Sequence, residues 1–523
     1  MASLASVALS WQRVGATASR GAKVSALAQC LRTIDETEIE LAVHYLAGEL
    51  PQGKLGVGYA VVQQAAMAAA APLERLSLTE VDQCFTELLA VRGAGAAQTR
   101  TRRLAGLFGQ ATALEQRFLM RLLVGELRAG ALTAVMLEAV AAAAGLPVTE
   151  VRRAAMYAAG VGAVARAALT GGSAALAAFE LRTLAPLEPM LAQTATGVTD
   201  ALARLGGEVA LEYKIDGARI QLHKRAGEVR IFTHRLNDVA ASLPEIVELA
   251  RTLPAHELVL DGEAVALNAS GRARPFQQTM RRFGRKLDVE VMRRELPLHA
   301  YFFDCLRLEQ QSLADRPARE RFAALVQAVP APYRIERLIG ADEPLAAAFY
   351  ARALAAGHEG VMAKALDAAY EAGSRGASWL KIKHVHTLDL VVLAAEWGHG
   401  RRTGWLSNLH LGARNGDDVS DAGNAGGFVM LGKTFKGLTD ETLRWQTEAL
   451  LALERARDAM TVYVQPRLVV EIAFNDIQAS SQYPGGLALR FARVKRYRDD
   501  KSPVDADTID TVRALYQAQT GAI

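Results

Sequence analysis

The stretch LEYKIDGARIQLH, residues 211–223, alternates apolar and polar side chains with the period of two that is typical of a β-strand. Its first half places Lys214 between two acids, Glu212 and Asp216, on one face. A glycine follows, and Asp-Gly is a turn signal, so the pattern predicts a hairpin that presents Lys214 opposite Arg219. Taken alone, the motif is more typical of an exposed hairpin stabilised by cross-strand charge pairs.

A second strand-like stretch carries two more lysines. WLKIKH, residues 379–384, places Lys381 and Lys383 on the same face of an otherwise apolar strand. Two ammonium groups on one largely apolar element repel each other unless an anion lies between them. A phosphate group would meet this requirement.

Carboxylates and an aromatic side chain recur in the same part of the sequence. VLDGEAVA points Asp261 and Glu263 to one face of a strand, and EGVMAK adds Glu359. Paired carboxylates without cysteine or histidine suit a hard divalent ion such as Mg²⁺. FFDCL adds Phe303, which can stack on a base. Each of these residues alone is more typical of a core or a surface, but together with the lysines they indicate nucleotide chemistry.

The organisation of the chain predicts three domains, because 523 residues exceed what one hydrophobic core holds. Residues 1–185 are rich in Ala and Leu at helical spacing and predict an all-α domain. Two prolines in APLEPMLAQT end this pattern. Residues 186–386 mix strand and helix patterns and predict an α+β domain, while the short strands of residues 387–523 suit a small β-barrel.

The helical part contains a weak internal repeat. YLAGELPQGKLGV, residues 45–57, and LLVGELRAGALTA, residues 122–134, share Leu, Gly and Glu in register. A glycine after a helix lets the chain turn and exposes backbone N–H groups, which can bind phosphates. A duplicated structural turn without a ligand explains the repeat equally well.

Composition excludes several classes of protein. The net charge of +4 permits an anionic partner without requiring one. The three cysteines are far apart, so neither a disulfide framework nor a four-cysteine zinc site is expected. The first residues lack the basic start of a secretion signal, and no apolar run reaches the roughly 18 residues that span a bilayer. We therefore expect a cytoplasmic, nucleoid-associated protein with no membrane partner.

Six motifs in a fixed order now give a resemblance. The sequence resembles the ATP-dependent DNA ligases of the covalent nucleotidyltransferase superfamily, and in particular bacterial members similar to the eukaryotic and archaeal replicative type. The motifs are KIDGAR (214–219), THRLNDV (233–239), VLDGEAVA (259–266), YFFDCL (301–306) with EGVMAK (359–364), WLKIKH (379–384) and RFARVKRYRDDK (490–501). One departure is Ala492, where proline is common.

The resemblance implies a helical DNA-binding domain, a nucleotidyltransferase (adenylation) domain and a C-terminal OB-fold barrel. It implies that Lys214 attacks the α-phosphate of ATP and carries AMP as a phosphoramide. The other implied roles are adenine contact by Glu212, adenine stacking by Phe303, ribose and phosphate contacts by Arg219 and Arg235, ribose or metal contacts by Glu263 and Glu359, α-phosphate binding by Lys381 and Lys383, and pyrophosphate orientation by Arg490 and Lys501.

The implied cofactors are ATP and Mg²⁺, with Mn²⁺ as an alternative metal, and the implied partner is nicked duplex DNA in replication, repair or recombination. Contacts to DNA are expected at Gly53, Arg128 and Gly130 of the helical repeats, in a monomeric enzyme. An amine nucleophile must be neutral, and at a pKa of about 10.4 roughly one lysine in a thousand is neutral near pH 7. Nearby cations lower that pKa, whereas adjacent carboxylates raise it.

Three other functions remain open at this point. An RNA ligase or an mRNA capping guanylyltransferase shares the lysine motif, although the large helical region argues against both. An NAD-dependent ligase is disfavoured because three scattered cysteines cannot build the four-cysteine zinc module that those enzymes usually carry. A non-catalytic DNA-binding protein would explain the basic clusters but would not need Lys214, Glu263 and Glu359 together.

Overall fold

A computed structural model describes residues 3–127, 132–158, 160–269, 271–284, 287–416 and 427–520. Its contacts divide the chain into two compact units. The first comprises Met1–Met190 with Glu309–Asp315 and Tyr370–Ser374, and the second comprises Leu191–Leu308, Arg316–Ala369 and Arg375–Ile523. The three domain boundaries expected from the sequence stay predictions. None of the described helices is long and apolar enough to cross a membrane.

The first unit is helical, and its helices begin where the sequence supplies caps. Ser77 and Glu80, like Thr112 and Glu115, form capping boxes that satisfy free backbone N–H groups at two helix starts. The helices of its described part are α1 (Leu4–Gly15), α2 (Arg20–Leu31), α3 (Ile39–Ala47), α4 (Tyr59–Ala65), α5 (Leu78–Ala90), α6 (Ala96–Gln110), α7 (Ala113–Val124), α8 (Leu132–Ala144), α9 (Val148–Tyr157) and α10 (Val161–Ala177).

The internal repeat corresponds to two matching helix ends. Helices α3 and α7 end at Gly48 and Gly125, whose φ angles of 76° and 73° lie in the left-handed region. In each case the next residue, Glu49 or Glu126, donates its N–H to a carbonyl of the last helical turn, at 2.8 and 2.9 Å. The predicted glycine turn is therefore confirmed at both copies, because only glycine adopts this conformation without strain.

The second unit contains three main sheets. Its helices are α11 (Val198–Leu205), α12 (Pro244–Thr252), α13 (Phe276–Phe283), α14 (Val289–Glu295), α15 (Ala318–Ala328), α16 (Glu343–Ala355), α17 (Asp440–Ala452) and α18 (Ile509–Thr520). The strands of the described chain are β1 (Gln193–Thr194), β2 (Val209–Lys214), β3 (Ala218–Arg225), β4 (Glu228–Thr233), β5 (Glu257–Ala266), β6 (Leu298–Leu308), β7 (Gln311–Ser312), β8 (Arg337–Gly340), β9 (Gly360–Ala365), β10 (Trp379–Lys383), β11 (His386–Trp397), β12 (Leu406–Arg414), β13 (Phe428–Thr434), β14 (Glu454–Arg457), β15 (Thr461–Val464), β16 (Val469–Phe474), β17 (Asp476–Ala479), β18 (Leu487–Arg490) and β19 (Arg493–Tyr497).

Two of these sheets carry the residues of all motifs except the last. The first has the strand order β1-β10-β9-β2-β8, and the second contains β4-β3-β5-β6. Helices α11 and α16 cover the first sheet with a core that includes Leu211, Phe349, Val361 and Leu380. Because this core is assembled from strands far apart in sequence, residues at the strand ends meet only in the folded chain.

The predicted hairpin across residues 211–223 is wrong. Strand β2 lies in the first sheet, where Lys214 is in register with Gly360, whereas β3 lies in the second, where Arg219 is in register with Glu263. A type I′ hairpin turn needs positive φ at both central residues, and neither Asp216 nor Gly217 has one. Gly217 serves a close approach instead, since a Cβ there would lie 2.5 Å from the Ala264 carbonyl oxygen.

The C-terminal part of this unit forms the third sheet. Its strand order is β13-β12-β11-β15-β14, and β16 pairs with both β11 and β19. Helix α17 was not expected from the sequence, and it contributes Leu443 and Leu450 to the core of this sheet. The structure therefore shows a multidomain chain with a helical N-terminal region and a mixed α/β core.

Candidate active site

Lys214 lies at the end of β2 within a cluster of charged side chains. Its Nζ is 2.6 Å from Oε2 of Glu359, and Nζ of Lys383 lies 2.8 Å from the same oxygen. The backbone fixes this arrangement, because Glu359 donates its N–H to the Lys214 carbonyl at 3.0 Å. Its neighbour Gly360 is the residue of β9 that is in register with Lys214. One carboxylate therefore bridges two lysines that are 169 positions apart in the chain, at 214 and 383.

The protonation states in this cluster are strongly perturbed. Burial disfavours the charged form of Lys214, but the negative charges of Glu359 and Glu263 outweigh it, so the pKa of Lys214 is raised. Burial likewise opposes ionisation of Glu359, yet Lys214 and Lys383 lower its pKa to about 2. Burial raises the pKa of Glu263 to about 8. In the free protein Lys214 is thus held as an ammonium ion, and it must lose a proton before it can act as a nucleophile.

Two further cations of the phosphate-binding prediction, Lys381 and Arg235, differ in position. Lys381 lies two residues before Lys383 on β10, and burial together with the charge of Lys383 lowers its pKa. Arg235 is exposed in the segment that follows β4. Lys381 is therefore close enough to the Lys214 cluster for the charges of Lys383 and Lys214 to lower its pKa, whereas Arg235 lies at the surface.

A second group of side chains surrounds the buried Lys364, and it includes Glu212, which lies two residues before Lys214 on β2. Glu212 is buried, with 2% of its surface exposed, and Phe303 is half-buried. The ring of Trp379 meets that of Phe303 edge-on at 6.1 Å between centroids. Nζ of the buried Lys364 lies 4.1 Å from the Trp379 ring centroid and 4.4 Å from that of Phe303. A carboxylate and two aromatic rings are thus grouped around one buried ammonium group.

Arg219 forms an ion pair with Asp261, the residue that the sequence pattern grouped with Glu263 as a metal ligand. Its Nε and Nη2 lie 3.0 and 2.6 Å from the two oxygens of Asp261. Asp261 is 1% exposed, so this bidentate pair is well shielded from water. That Asp261 joins Glu263 at a metal ion stays a prediction, and Arg219 already contacts both oxygens of Asp261. The Arg219 guanidinium lies 5.5 Å from the Phe303 ring centroid.

Three carboxylates converge next to Lys214. Asp216, Glu359 and Asp476 each offer an oxygen, and these atoms lie within 4.8 Å of one another. Burial and the charges of Glu359 and Asp476 raise the pKa of Asp216 to about 7. Nη1 of Arg490 lies 3.6 Å from both Asp216 and Asp476. Glu263 is not a member of this triad of described residues. Asp476 had no signal in the sequence, because it begins β17, 260 positions after Asp216, which lies between β2 and β3.

The remaining predicted residues lie elsewhere. Nζ of Lys501 is 2.6 Å from Asp389 Oδ2, an oxygen that Arg498 also contacts. Gly53 has a φ of 68° in the loop between α3 and α4. Residues Arg128 and Gly130, the other expected DNA contacts, lie outside the described residues.

Comparison with known proteins agrees with the motif order. Models of the ATP-dependent DNA ligase domain, its C-terminal region and the DNA ligase N terminus match residues 189–383, 402–501 and 59–141. A probable DNA ligase of Anaeromyxobacter dehalogenans strain 2CP-1 is 56% identical over 518 residues, which cover 98% of this chain and 99% of the relative. The chain belongs to the ATP-dependent DNA ligases. Enzymes of this family use ATP and seal nicks in DNA through an adenylate intermediate.

More distant comparisons support the same family. A probable DNA ligase of Mycobacterium sp. strain KMS is 52% identical over 529 residues, with 98% of this chain and 99% of the relative covered. The solved structure named Pmar-Lig_Pre is 18% identical, with a TM-score of 0.56 over 94% of this chain and 99% of that one. The latter likeness concerns the fold alone. The expected family and its ligase activity are thereby confirmed.

Proposed function

We propose that Lys214 is the nucleophile of this ligase and that the cluster around it binds the triphosphate of ATP. The observation that carries the proposal is the contact of Lys214 and Lys383 with a single oxygen of Glu359. A phosphate group entering between the two ammonium groups would replace the carboxylate as their counter-ion. Lys214 must lose its proton before it attacks, and the neighbouring cations Lys381 and Lys383 favour that loss.

The reaction at this site has a defined balance. The Nζ–P bond to the α-phosphorus forms as the bond from that phosphorus to the pyrophosphate oxygen breaks, which leaves AMP on Lys214 as a phosphoramide. Transfer of AMP to the 5′-phosphate of a nick regenerates the free amine. Attack by the 3′-hydroxyl on that phosphate then closes the backbone and releases AMP. Lys381, Lys383 and Arg490 would stabilise the negative charge that develops on the phosphates.

The nucleotide would lie with its base between Glu212 and Phe303. Arg219 lies 5.5 Å from the Phe303 ring, so it can reach the ribose of a base stacked there. Arg235 would contact the ribose or phosphates from the surface, and Glu263, beside Lys214, would serve the ribose.

The carboxylates Asp216, Glu359 and Asp476 fit a magnesium ion. All three offer oxygen ligands, which Mg²⁺ and Mn²⁺ prefer, and these oxygens lie within 4.8 Å of one another. A metal ion bound there supplies Lewis-acid stabilisation of phosphate charge. Of the two metal ligands inferred from the resemblance, Glu359 belongs to this group, and Glu263 would act only through the nucleotide.

The rest of the chain would serve DNA. We assign DNA binding to residues 1–185, adenylation to residues 186–386, and an OB-fold to residues 387–523. The matching glycine turns at Gly48 and Gly125 support a duplicated phosphate-binding element near Gly53. The third sheet would provide the OB-fold. Lys501 must leave Asp389 before it can reach a pyrophosphate.

Covalent labelling tests the proposal. The purified protein is incubated separately with α-labelled ATP, α-labelled GTP and labelled NAD⁺, and label that survives denaturation is measured. We expect label from ATP alone. The Lys214→Arg variant keeps the charge but cannot supply a neutral amine, so its label should vanish. A control is Lys433→Arg, since Lys433 also pairs with a carboxylate, Glu396, but lies on β13 of the third sheet. Persistent label on Lys214→Arg would place the nucleophile elsewhere.

A further inference from the structure

Arg337 lies outside all six motifs, yet it contacts both residues that we propose to hold the base, Glu212 and Phe303. Its Nε and Nη2 donate to Oε1 of Glu212 at 2.8 and 2.6 Å. Nη2 also donates to the backbone carbonyl of Phe303 at 2.7 Å. A single guanidinium therefore ties the carboxylate of one strand to the backbone that carries the stacking ring.

The strand register explains why this contact is fixed. Glu212 on β2 is directly opposite Arg337 on β8, the edge strand of the first sheet. The Arg337 guanidinium is packed over the ring of Phe322 at 3.5 Å from its centroid, and only 12% of the side chain is exposed. Directly opposed side chains on neighbouring strands are close enough for such a pair without distortion. Stacking on one face and hydrogen bonding at the edge leave the guanidinium little freedom to rotate.

A second cation completes the arrangement. Nζ of Lys364, which is 1% exposed, lies 2.6 Å from the other oxygen of Glu212, Oε2. Lys364 is on β9, diagonally across from Glu212, because its register partner on β2 is Ala210. Burial lowers the pKa of Lys364. The two oxygens of Glu212 thus face different cations and are not equivalent.

The number of acceptor positions on Glu212 then limits what else it can bind. A carboxylate accepts about four hydrogen bonds, two at each oxygen. Among the described residues, Arg337 takes both positions of Oε1, and the ammonium group of Lys364 lies 2.6 Å from Oε2. The remaining acceptor capacity is on Oε2, an oxygen that cannot rotate away. It suits a single N–H donor such as the 6-amino group of adenine, and it repels the 6-carbonyl oxygen of guanine.

We infer that Arg337 is a positioning residue that sets the preference of this ligase for adenine, by holding Glu212 with one oriented acceptor beside the ring of Phe303. The inference deepens the proposed function and rests on it. Arg337 acts through Glu212 and Phe303. Lys364 supports the same carboxylate from its other side.

The test compares two nucleotides that differ only at the 6-position. Self-adenylation is measured as kcat/KM with ATP and with purine riboside triphosphate, which lacks the 6-amino group. A hydrogen bond to a charged acceptor implies a preference of the wild type for ATP of about 10- to 100-fold. In Arg337→Met this ratio should fall towards unity through loss of the ATP rate, while the rate with purine riboside triphosphate changes little. A merely structural role would lower both rates by the same factor and leave the ratio unchanged.

Further variants keep the test decisive if Arg337→Met folds poorly. Arg337→Lys keeps the charge but cannot bond Oε1 twice and Phe303 at once, so its ratio should also fall. Glu212→Gln should lower the ratio, and adding Arg337→Met to it should lower the ratio no further. The control is Arg319→Met, because Arg319 forms a similar two-pronged pair with the exposed Asp367.

The outcomes separate the inference from the proposal beneath it. An unchanged ratio in both Arg337 variants, or equal wild-type rates on the two nucleotides, would overturn the inference and leave Lys214 as nucleophile. A wild type that takes no covalent label from ATP would refute the proposed function and the inference with it. A ratio that falls in Arg337→Lys and Arg337→Met but not in Arg319→Met establishes the positioning role.

Discussion

Replacement of Arg490 by alanine should separate the first step of ligation from the later ones. Nη1 of Arg490 lies 3.6 Å from both Asp216 and Asp476, and the side chain is 21% exposed. The guanidinium therefore lies beside Asp216, which follows Lys214 by two residues. We expect the pyrophosphate of ATP to leave on this side of Lys214. Pyrophosphate carries developing negative charge only in the adenylation step, so a fixed cation contributes there and not afterwards.

The size of the effect follows from the interaction that is lost. A hydrogen bond from a charged donor contributes about 1.5–3 kcal/mol, and each 1.36 kcal/mol corresponds to a tenfold rate change, so adenylation should slow by about 10- to 150-fold. Arg490 also lowers the pKa of Asp216, which stands at about 7 with the arginine present. Without it, more Asp216 is protonated at neutral pH. The rate loss should therefore be smaller at pH 9 than at pH 7.

Two half-reactions provide the assay. Adenylation is followed with α-labelled ATP, and the last step is followed by sealing of a nick that is already adenylated. Arg490→Ala should be slow in the first assay and close to wild type in the second. The matched control is Arg496→Ala, from the same basic run, because Arg496 is 62% exposed and pairs with Glu471. Normal adenylation by Arg490→Ala with failure on the adenylated nick would refute the reasoning and assign Arg490 to DNA binding.

Three other predictions concern DNA binding, stability and pH. Deletion of residues 1–185 should spare self-adenylation but weaken nick sealing, and equal sealing by the deleted and the intact protein would give the helical unit another role. In a gel-shift titration, binding of nicked DNA by the intact chain should fall steeply as the salt concentration rises. Arg321 and Asp304 are fully buried with Nε and Oδ1 2.8 Å apart, so replacement of Arg321 by Met leaves the charge of Asp304 without its ion-pair partner. The free energy of unfolding measured in urea should fall by about 3–5 kcal/mol, and a loss below about 1 kcal/mol would contradict this. The pKa of Asp216 is raised to about 7 in the folded chain, so protonation of Asp216 stabilises the fold fully below its ordinary pKa near 4, and this stabilisation is lost as pH rises through 7. The urea concentration at the unfolding midpoint should therefore fall from pH 5 to pH 8, and by less in Asp216→Asn; identical pH profiles of the two proteins would exclude this group as the cause.

The sequence by itself determined the parts of this protein that depend on local pattern. Alternation in VLDGEAVA predicted β5, and the helical spacing and the glycines at 48 and 125 predicted helices that end in left-handed turns. The order of the motifs predicted the ligase family before any neighbour in space was known. These features follow from side-chain periodicity and backbone conformation, which act over a few residues.

Only the tertiary structure decided which of these elements meet. The pattern around Lys214 predicted a hairpin, but its two strands lie in different sheets, and Lys214 and Arg219 are in register with Gly360 and Glu263, each more than 40 positions away. Asp476 and Arg337 stand next to motif residues although nothing in their own surroundings marks them. Strand pairing and ion pairing over such distances follow from the burial of whole sheets and from charge compensation inside them. A local pattern carries no record of either, and so the fold alone assembles the site.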